Sequence, residues 1–253
     1  MLIDTHAHLN FPEFDKDLDE VIQKAHEKSV KYFIVPGVDQ KTNEKSIELA
    51  IKYPFMKAAV GIHPLYFLNE NPLSIEQYLK LPQVVAIGEI GLDLYHDKNN
   101  LEIQQKNLEI QIQLALKYKL PVILHAREAF EETYKMLSPY KGQIEGVFHC
   151  LTSDFQEAQK AVDLGFYVGL GGIVTYDKAL EAHKIAKHIP LDRILLETDA
   201  PFLTPAPLAK NLRNEPQFIK NVVEKIASIK NISLEELSKQ TTNNAKKLFN
   251  LNF

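Results

Sequence analysis

The chain is poor in cysteine, in basic excess and in long apolar runs, and each shortage removes a class of protein. Cys150 is the only cysteine among 253 residues. An intrachain disulfide and a cysteine-rich structural zinc site are therefore excluded, and any bound metal must rest on nitrogen and oxygen. Lysine and arginine number 29 against 33 acidic residues, a net charge of −4. Broad electrostatic capture of nucleic acid needs a basic domain or stripe, so at most a small basic patch inside a cleft remains. No run approaches the ~20 apolar residues of a membrane span, and the first residues read as a core strand rather than a basic leader. There is no linker, low-complexity segment or repeat of fixed period, and the stretch from Pro201 to Pro207 reads as a rigid loop. The expectation is a cytoplasmic protein with no membrane association and no obligatory protein partner.

What the chain does have is a 45% hydrophobic fraction, arranged as strands alternating with helices. Short continuous apolar runs of the kind found in buried parallel sheets occur at residues 1–8, 32–36, 56–61, 84–88, 122–125, 145–149, 166–169 and 193–197. Helical spacing occupies 15–29, 41–52, 101–118 and 130–137, and Ser74 and Ser153 open capping-box patterns for two further helices. Beyond Asp199 the pattern is helical, at 215–229, after a capping box at Ser233, and at 242–249. Eight strands in alternation predict an α/β fold, a TIM-type (β/α)8 barrel filling residues 1–253 as one domain, with extra C-terminal helices outside it.

A barrel of this type carries its active site at the C-terminal ends of its strands. Polar residues stand there in this sequence. His6 and His8, two residues apart and so on one face of an extended strand, close the first run. Glu89, His125 and His149 close later ones, Asp199 follows the last, and His63 follows the third. Glu197 is the alternative carboxylate to Asp199. Histidines and carboxylates converging on one rim form a nitrogen and oxygen cluster suited to one or two divalent ions.

The blocks His6-Ala7-His8, Gly61-Ile62-His63-Pro64, Ile87-Gly88-Glu89-Ile90-Gly91-Leu92-Asp93, Leu120 to Arg127, Gly146-Val147-Phe148-His149-Cys150 and Leu196 to Pro205 resemble the signature blocks of the TatD family of metal-dependent deoxyribonucleases. The resemblance runs over essentially the whole chain and implies the same barrel. It implies that His6, His8, Glu89, His125, His149 and Asp199 ligate two divalent ions, for which magnesium, manganese and zinc are all suitable. One ion would be held by His6, His8, Glu89 and Asp199, the other by Glu89, His125 and His149, with Glu89 bridging. Asp199 and Glu89 are then the catalytic pair, with Asp199 taking or steering the proton of the attacking water. The implied substrate is DNA, shortened from the 3′ end of single strands.

His63 and Arg127 are candidates for substrate contact, since the guanidinium fork of Arg127 matches phosphate geometry. Two stretches depart from the family pattern. Cys150-Leu151-Thr152-Ser153 lacks the usual glycine of its loop, and the basic run before Arg213-Asn214-Glu215-Pro216 is thinned. Lys210 and Arg213 remain to meet a phosphate backbone. Glu215 and Pro216 suit the first turn of a helix, and Cys150 reads as a small buried residue. A metal-dependent acyl hydrolase, cleaving an amide, a lactone or an aminoacyl-tRNA ester, is the alternative on this scaffold, and a non-catalytic barrel is a third class.

Overall fold

The protein is described by a computed structural model covering residues 1–152, 154–209 and 211–252. Eight parallel strands follow one another around a single sheet in chain order. They are β1 (Leu2–Asp4), β2 (Val30–Pro36), β3 (Met56–Val60), β4 (Val84–Asp93), β5 (Val122–Arg127), β6 (Gly146–Phe148), β7 (Tyr167–Leu170) and β8 (Ile194–Leu196). The sheet closes on itself at Thr5, whose amide and hydroxyl both donate to the Leu196 carbonyl at 3.0 Å, and at a bridge between Ala7 and Ala200. This is the expected (β/α)8 barrel.

Eight helices accompany the strands among the described residues: α1 (Leu18–Glu27), α2 (Gln40–Lys52), α3 (Leu101–Tyr118), α4 (Phe130–Leu137), α5 (Phe155–Asp163), α6 (Leu180–His188), α7 (Ile219–Lys230) and α8 (Leu234–Leu248). Strand alternation sorts the apolar residues into two cores. The outer core joins the helices to outward strand residues, as where Val21, Ile22 and Ala25 of α1 share a cluster with Phe33 and Val35 of β2. The inner core takes one residue from each strand, namely Ile3, Ile34, Ala59, Ala86, Ile123, Val147, Tyr167 and Leu195. Leu248, Phe249 and Leu251, at and just beyond the end of α8, join that inner cluster and stop the barrel at the N-terminal ends of its strands.

Several boundaries differ from expectation for identifiable reasons. The segment at Ser74 is a 3-10 helix, Pro72–Tyr78, capped three residues earlier by Asn71, because Pro72 suits a first helical position. Asp154 caps α5 through the amides of Gln156 and Glu157, while Ser153 lies outside the described residues. Sequence spacing does not signal α6, because its inward face is Ala182, Ile185 and Ala186, a stripe with one large residue. Ser233 does cap a helix, but α8 then runs unbroken to Leu248 instead of restarting at residue 242. The expected helix at 215–229 opens with a 3-10 turn, Pro216–Phe218, before α7.

Candidate metal centre

Alternation alone delivers part of the site. Ile123, Val147 and Leu195 face the barrel interior, so His125, His149 and Glu197, two residues on, face it as well. The other side chains need irregular backbone. The chain bends at Thr5, where β1 has ended, and His6 and His8 follow with their Nε2 atoms 3.1 Å apart. In β4 the pairing with β5 slips between Ile87 and Ile90, so that one extra residue is accommodated and Glu89 turns to the interior. Close approach makes this possible at Gly91: its φ is +146°, and a Cβ there would lie 1.9 Å from the His125 carbonyl oxygen. Asp199 comes after the end of β8 with a left-handed φ of 58°, its amide donating to the His6 carbonyl at 2.9 Å. Of the two carboxylates left open by the sequence, Asp199 joins the cluster, and Glu197 stands behind His149 instead.

Glu89 lies in the middle and is 3% exposed. Its Oε2 is 3.3 Å from His6 Nε2 and 3.5 Å from His8 Nε2. Its Oε1 is 2.9 Å from His125 Nδ1, 3.2 Å from His149 Nε2 and 3.6 Å from His63 Nε2. Asp199 Oδ1 stands 3.6 Å from His6 Nε2 and 3.5 Å from His8 Nε2. Three overlapping groups result, His6 with His8 and Glu89, His6 with His149 and Asp199, and His63 with Glu89 and His125, each with donor atoms within 4.8 Å.

The rings are oriented from behind. His8 Nδ1 faces the Pro36 carbonyl at 3.3 Å, His125 Nε2 faces Asp93 Oδ2 at 3.1 Å, and His149 Nδ1 faces Glu197 Oε1 at 3.4 Å. On His8 and His125 that acceptor holds the proton and leaves the lone pair of the other nitrogen for a metal, whereas His149 Nδ1 has no hydrogen-bond partner among the described residues and feels Glu197 as a neighbouring charge. His63 is turned the other way: its Nδ1 accepts the Leu65 amide at 3.2 Å, which puts the proton on the Nε2 that faces Glu89. It is a donor in this geometry. His6 Nδ1 is buried and has no hydrogen-bond partner among the described residues.

The electrostatics follow from burial and crowding. Burial opposes ionisation of Glu89, but His149, His6 and His63 around it and the hydrogen bond from His125 hold it well below the usual carboxylate range. Burial likewise opposes a charged His8, which the hydrogen bonds to Asp199 and Glu89 overcome, raising it to about 9. Burial and the neighbouring His125 push His63 down to about 3, so it is neutral. Two Nε2 atoms 3.1 Å apart, with carboxylate oxygens on both sides and no charged lysine or arginine among them, are what a divalent cation would neutralise. The donor set fits one.

Around the cluster is a cavity of about 460 Å3, whose wall includes Phe11, Tyr66, His96, Arg127 and Phe202. Arg127 is exposed, its guanidinium 4.2 Å from the centroid of the Tyr95 ring, and it forms no salt bridge among the described residues. Arg213 is not in that wall. It pairs with Asp17 at 2.6 Å and Glu215 at 2.8 Å and lies over the Phe14 ring, tying α1 to the turn before α7. Both faces of its fork are engaged, which corrects the expectation that it is open to phosphate. Lys210 lies outside the described residues. The neighbouring Asn214 serves the metal-site backbone instead, because its side-chain amide donates to the carbonyls of Thr198 at 2.8 Å and Phe202 at 2.6 Å and so grips the loop that carries Asp199. Asp4, which no sequence pattern singles out, holds the other end of that loop by accepting from the Thr198 hydroxyl at 2.6 Å. Cys150 is half-buried, and its thiol is pushed up to about 12 by burial, which removes it as a nucleophile.

A closed parallel barrel with clustered imidazoles and carboxylates at the C-terminal ends of its strands defines a metal-dependent hydrolase. The chain belongs to the TatD-related DNase family, whose model matches residues 3–250. It is 40% identical over its whole length to all of a Bacillus subtilis protein described as the metal-dependent hydrolase YabD. It is 32% identical, again over the whole of both chains, to the 3′-5′ ssDNA/RNA exonuclease TatD of Salmonella typhimurium. The crystal structure of YjjV, a TatD homologue from Escherichia coli K12, matches with a TM-score of 0.94 at 33% identity, covering 99% of this chain and 98% of that one. No helix among the described residues is long and apolar enough to cross a membrane.

Proposed function

We propose that the protein, acting as one barrel domain over residues 1–253, is a phosphodiesterase that removes nucleotides from the 3′ end of single-stranded DNA in the cytoplasm. The observation that carries this reading is the division of the Glu89 carboxylate, with Oε2 toward His6 and His8 and Oε1 toward His125 and His149. A carboxylate so divided suits two cations: His6, His8, Glu89 and Asp199 would hold one, and Glu89, His125 and His149 the other. Magnesium, manganese and zinc all suit this donor set. When bound, such ions activate water at neutral pH and polarise phosphoryl oxygens.

The protein's own groups do the rest. Asp199, held below its ordinary value by the hydrogen bond from His8 against the effect of burial, is ionised and takes the proton of the attacking water as the phosphorus–oxygen bond to the sugar breaks, the departing sugar oxygen gaining a proton from solvent. His63, neutral with its proton on Nε2, donates to a phosphate oxygen rather than repelling or ligating a cation. Arg127, free of a carboxylate partner among the described residues, offers its fork to the next phosphate along the strand. The lone thiol suits a reducing compartment.

The test is a labelled single-stranded oligonucleotide, incubated with chelator-stripped protein and added magnesium, manganese or zinc, beside an Asp199→Asn variant. Removing the proton acceptor is expected to slow turnover by about 10²–10⁴-fold. A ladder shortening from the 3′ end only with metal is the expected product. Protein that binds the ions, cleaves no diester and hydrolyses an aminoacyl or lactone ester would overturn the nuclease reading in favour of the acyl hydrolase.

A further inference from the structure

A second cavity, about 610 Å3, adjoins the metal cavity, and the two share Phe11, Val38, Tyr66 and Phe202 as a common sill. Two of these aromatic rings are open to solvent beside the buried histidines and carboxylates of the centre: Phe202 is 48% exposed and Tyr66 43%. Phe11 is not available in the same way, because its ring is stacked on His8 at 4.5 Å with planes 22° apart. Phe202 stands nearly perpendicular to Phe11, with ring centres 6.1 Å apart and planes at 77°. A flat aromatic group laid on Phe202 therefore has a wall at its edge, with Tyr66 also on the sill.

The charge of the second compartment decides what can lie there. Glu13, Asp15, Asp39, Glu44 and Glu48 line it against Lys41 and Lys45 only. A phosphate backbone passing through would meet a surplus of carboxylates, whereas an uncharged nucleobase would not. Burial together with Asp39 and Glu89 pushes the Tyr66 phenol above its usual value, so that ring stays neutral as well.

We propose that the sill of Phe202 and Tyr66 is a stacking subsite for the base of the strand's terminal nucleotide, closed to further nucleotides by the carboxylates behind it. The assignment rests on the nuclease reading and deepens it. With the scissile phosphate at Glu89 and Asp199, the terminal base lies over the sill, and the rest of the strand leaves on the Arg127 side of the cavity. Stacking accepts every base, so the subsite gives end recognition without sequence preference. An acidic back wall turns a diester site into one that measures a chain end.

The experiment compares two single-stranded oligonucleotides, identical except that one ends in a 3′ abasic residue. Wild-type kcat/KM is expected to fall about tenfold when the terminal base is missing, the order expected for loss of one stacked base. In Phe202→Ala and Tyr66→Ala that ratio collapses toward one, and Phe202→Trp preserves it. A terminal 2-aminopurine, whose fluorescence stacking quenches, should be dimmed on binding to wild type and to Phe202→Trp but not to Phe202→Ala. Cleavage of both oligonucleotides at equal rates by wild type, or an unchanged ratio in both alanine variants, overturns the subsite and leaves the nuclease standing. Failure of the wild type to cleave either one overturns the nuclease reading, and the subsite falls with it.

Discussion

His8, His125 and His149 each turn one ring nitrogen to an oxygen, respectively that of the Pro36 carbonyl, of Asp93 and of Glu197, and present the other to Glu89. Such partners set the tautomer and the basicity of a ligand. Asp93→Asn and Glu197→Gln are accordingly expected to weaken metal binding by about 10–100-fold each, as read by calorimetric titration of manganese into stripped protein. Unchanged affinity in both variants would show that the rings are held by packing alone. The candidate ligands are legible in the sequence because each stands at or just after the end of an apolar run. Their supports are not: Asp93 belongs to the same signature block as Glu89, yet only the register of β4 against β5 reveals that it lies behind His125. The same holds for Gly169, where a Cβ would lie 2.4 Å from Glu197 Oε2. The space that carboxylate needs is made by a different strand.

The elements show what period and punctuation can and cannot convey. Helices α3 and α4 are where the 3.6-residue spacing puts them, since their inward residues are large. The slip in β4 carries no signature in composition, so the apolar run stops at Gly88 while the strand continues to Asp93. Arg213 illustrates a different limit. Its sequence neighbours a loop that looks suited to phosphate, and only the fold brings Asp17 from α1's N-cap position to meet it. The hydrogen bond from Arg213 holds the Asp17 carboxyl below its ordinary value. The folded form then keeps its charge to lower pH than the unfolded chain, so the stabilisation is complete above about pH 4 and is lost as pH falls through the folded value. The pair is about one-third exposed, and its worth is therefore about 1 kcal/mol or less. Arg213→Leu should lower the melting temperature at pH 7, with the gap to wild type narrowing in a thermal-unfolding series taken down to about pH 3. A gap independent of pH would assign the effect to the Phe14 contact alone.

For the whole molecule, the strand count was readable because parallel barrel strands are buried on both faces and appear as uninterrupted apolar runs. The plug was not. Leu248 and Phe249 read simply as the end of a helix over 242–249, with Leu251 past it, and nothing local to them says that they complete a core begun by Ile3. Phe249 is 1% exposed, and Phe249→Ala is expected to cost about 3–5 kcal/mol in a denaturant titration. A loss under about 1 kcal/mol would mean that the lower end of the barrel can rearrange around the gap. The same helix fastens the start of the chain, through the Thr242 hydroxyl donated to the Met1 carbonyl across 241 residues.

That fastening bears on how the protein is made. A ribosome delivers His6 and His8 before the rest of the candidate site, the Thr198 groups that bond to Asp4 emerge 194 residues after it, and Thr242 later still. Through most of translation the two leading imidazoles belong to an open sheet whose first strand has one neighbour. A nascent chain can therefore collect partial barrel structure before Asp199 exists, and the candidate centre is complete only once the seam between first and last strands is sewn.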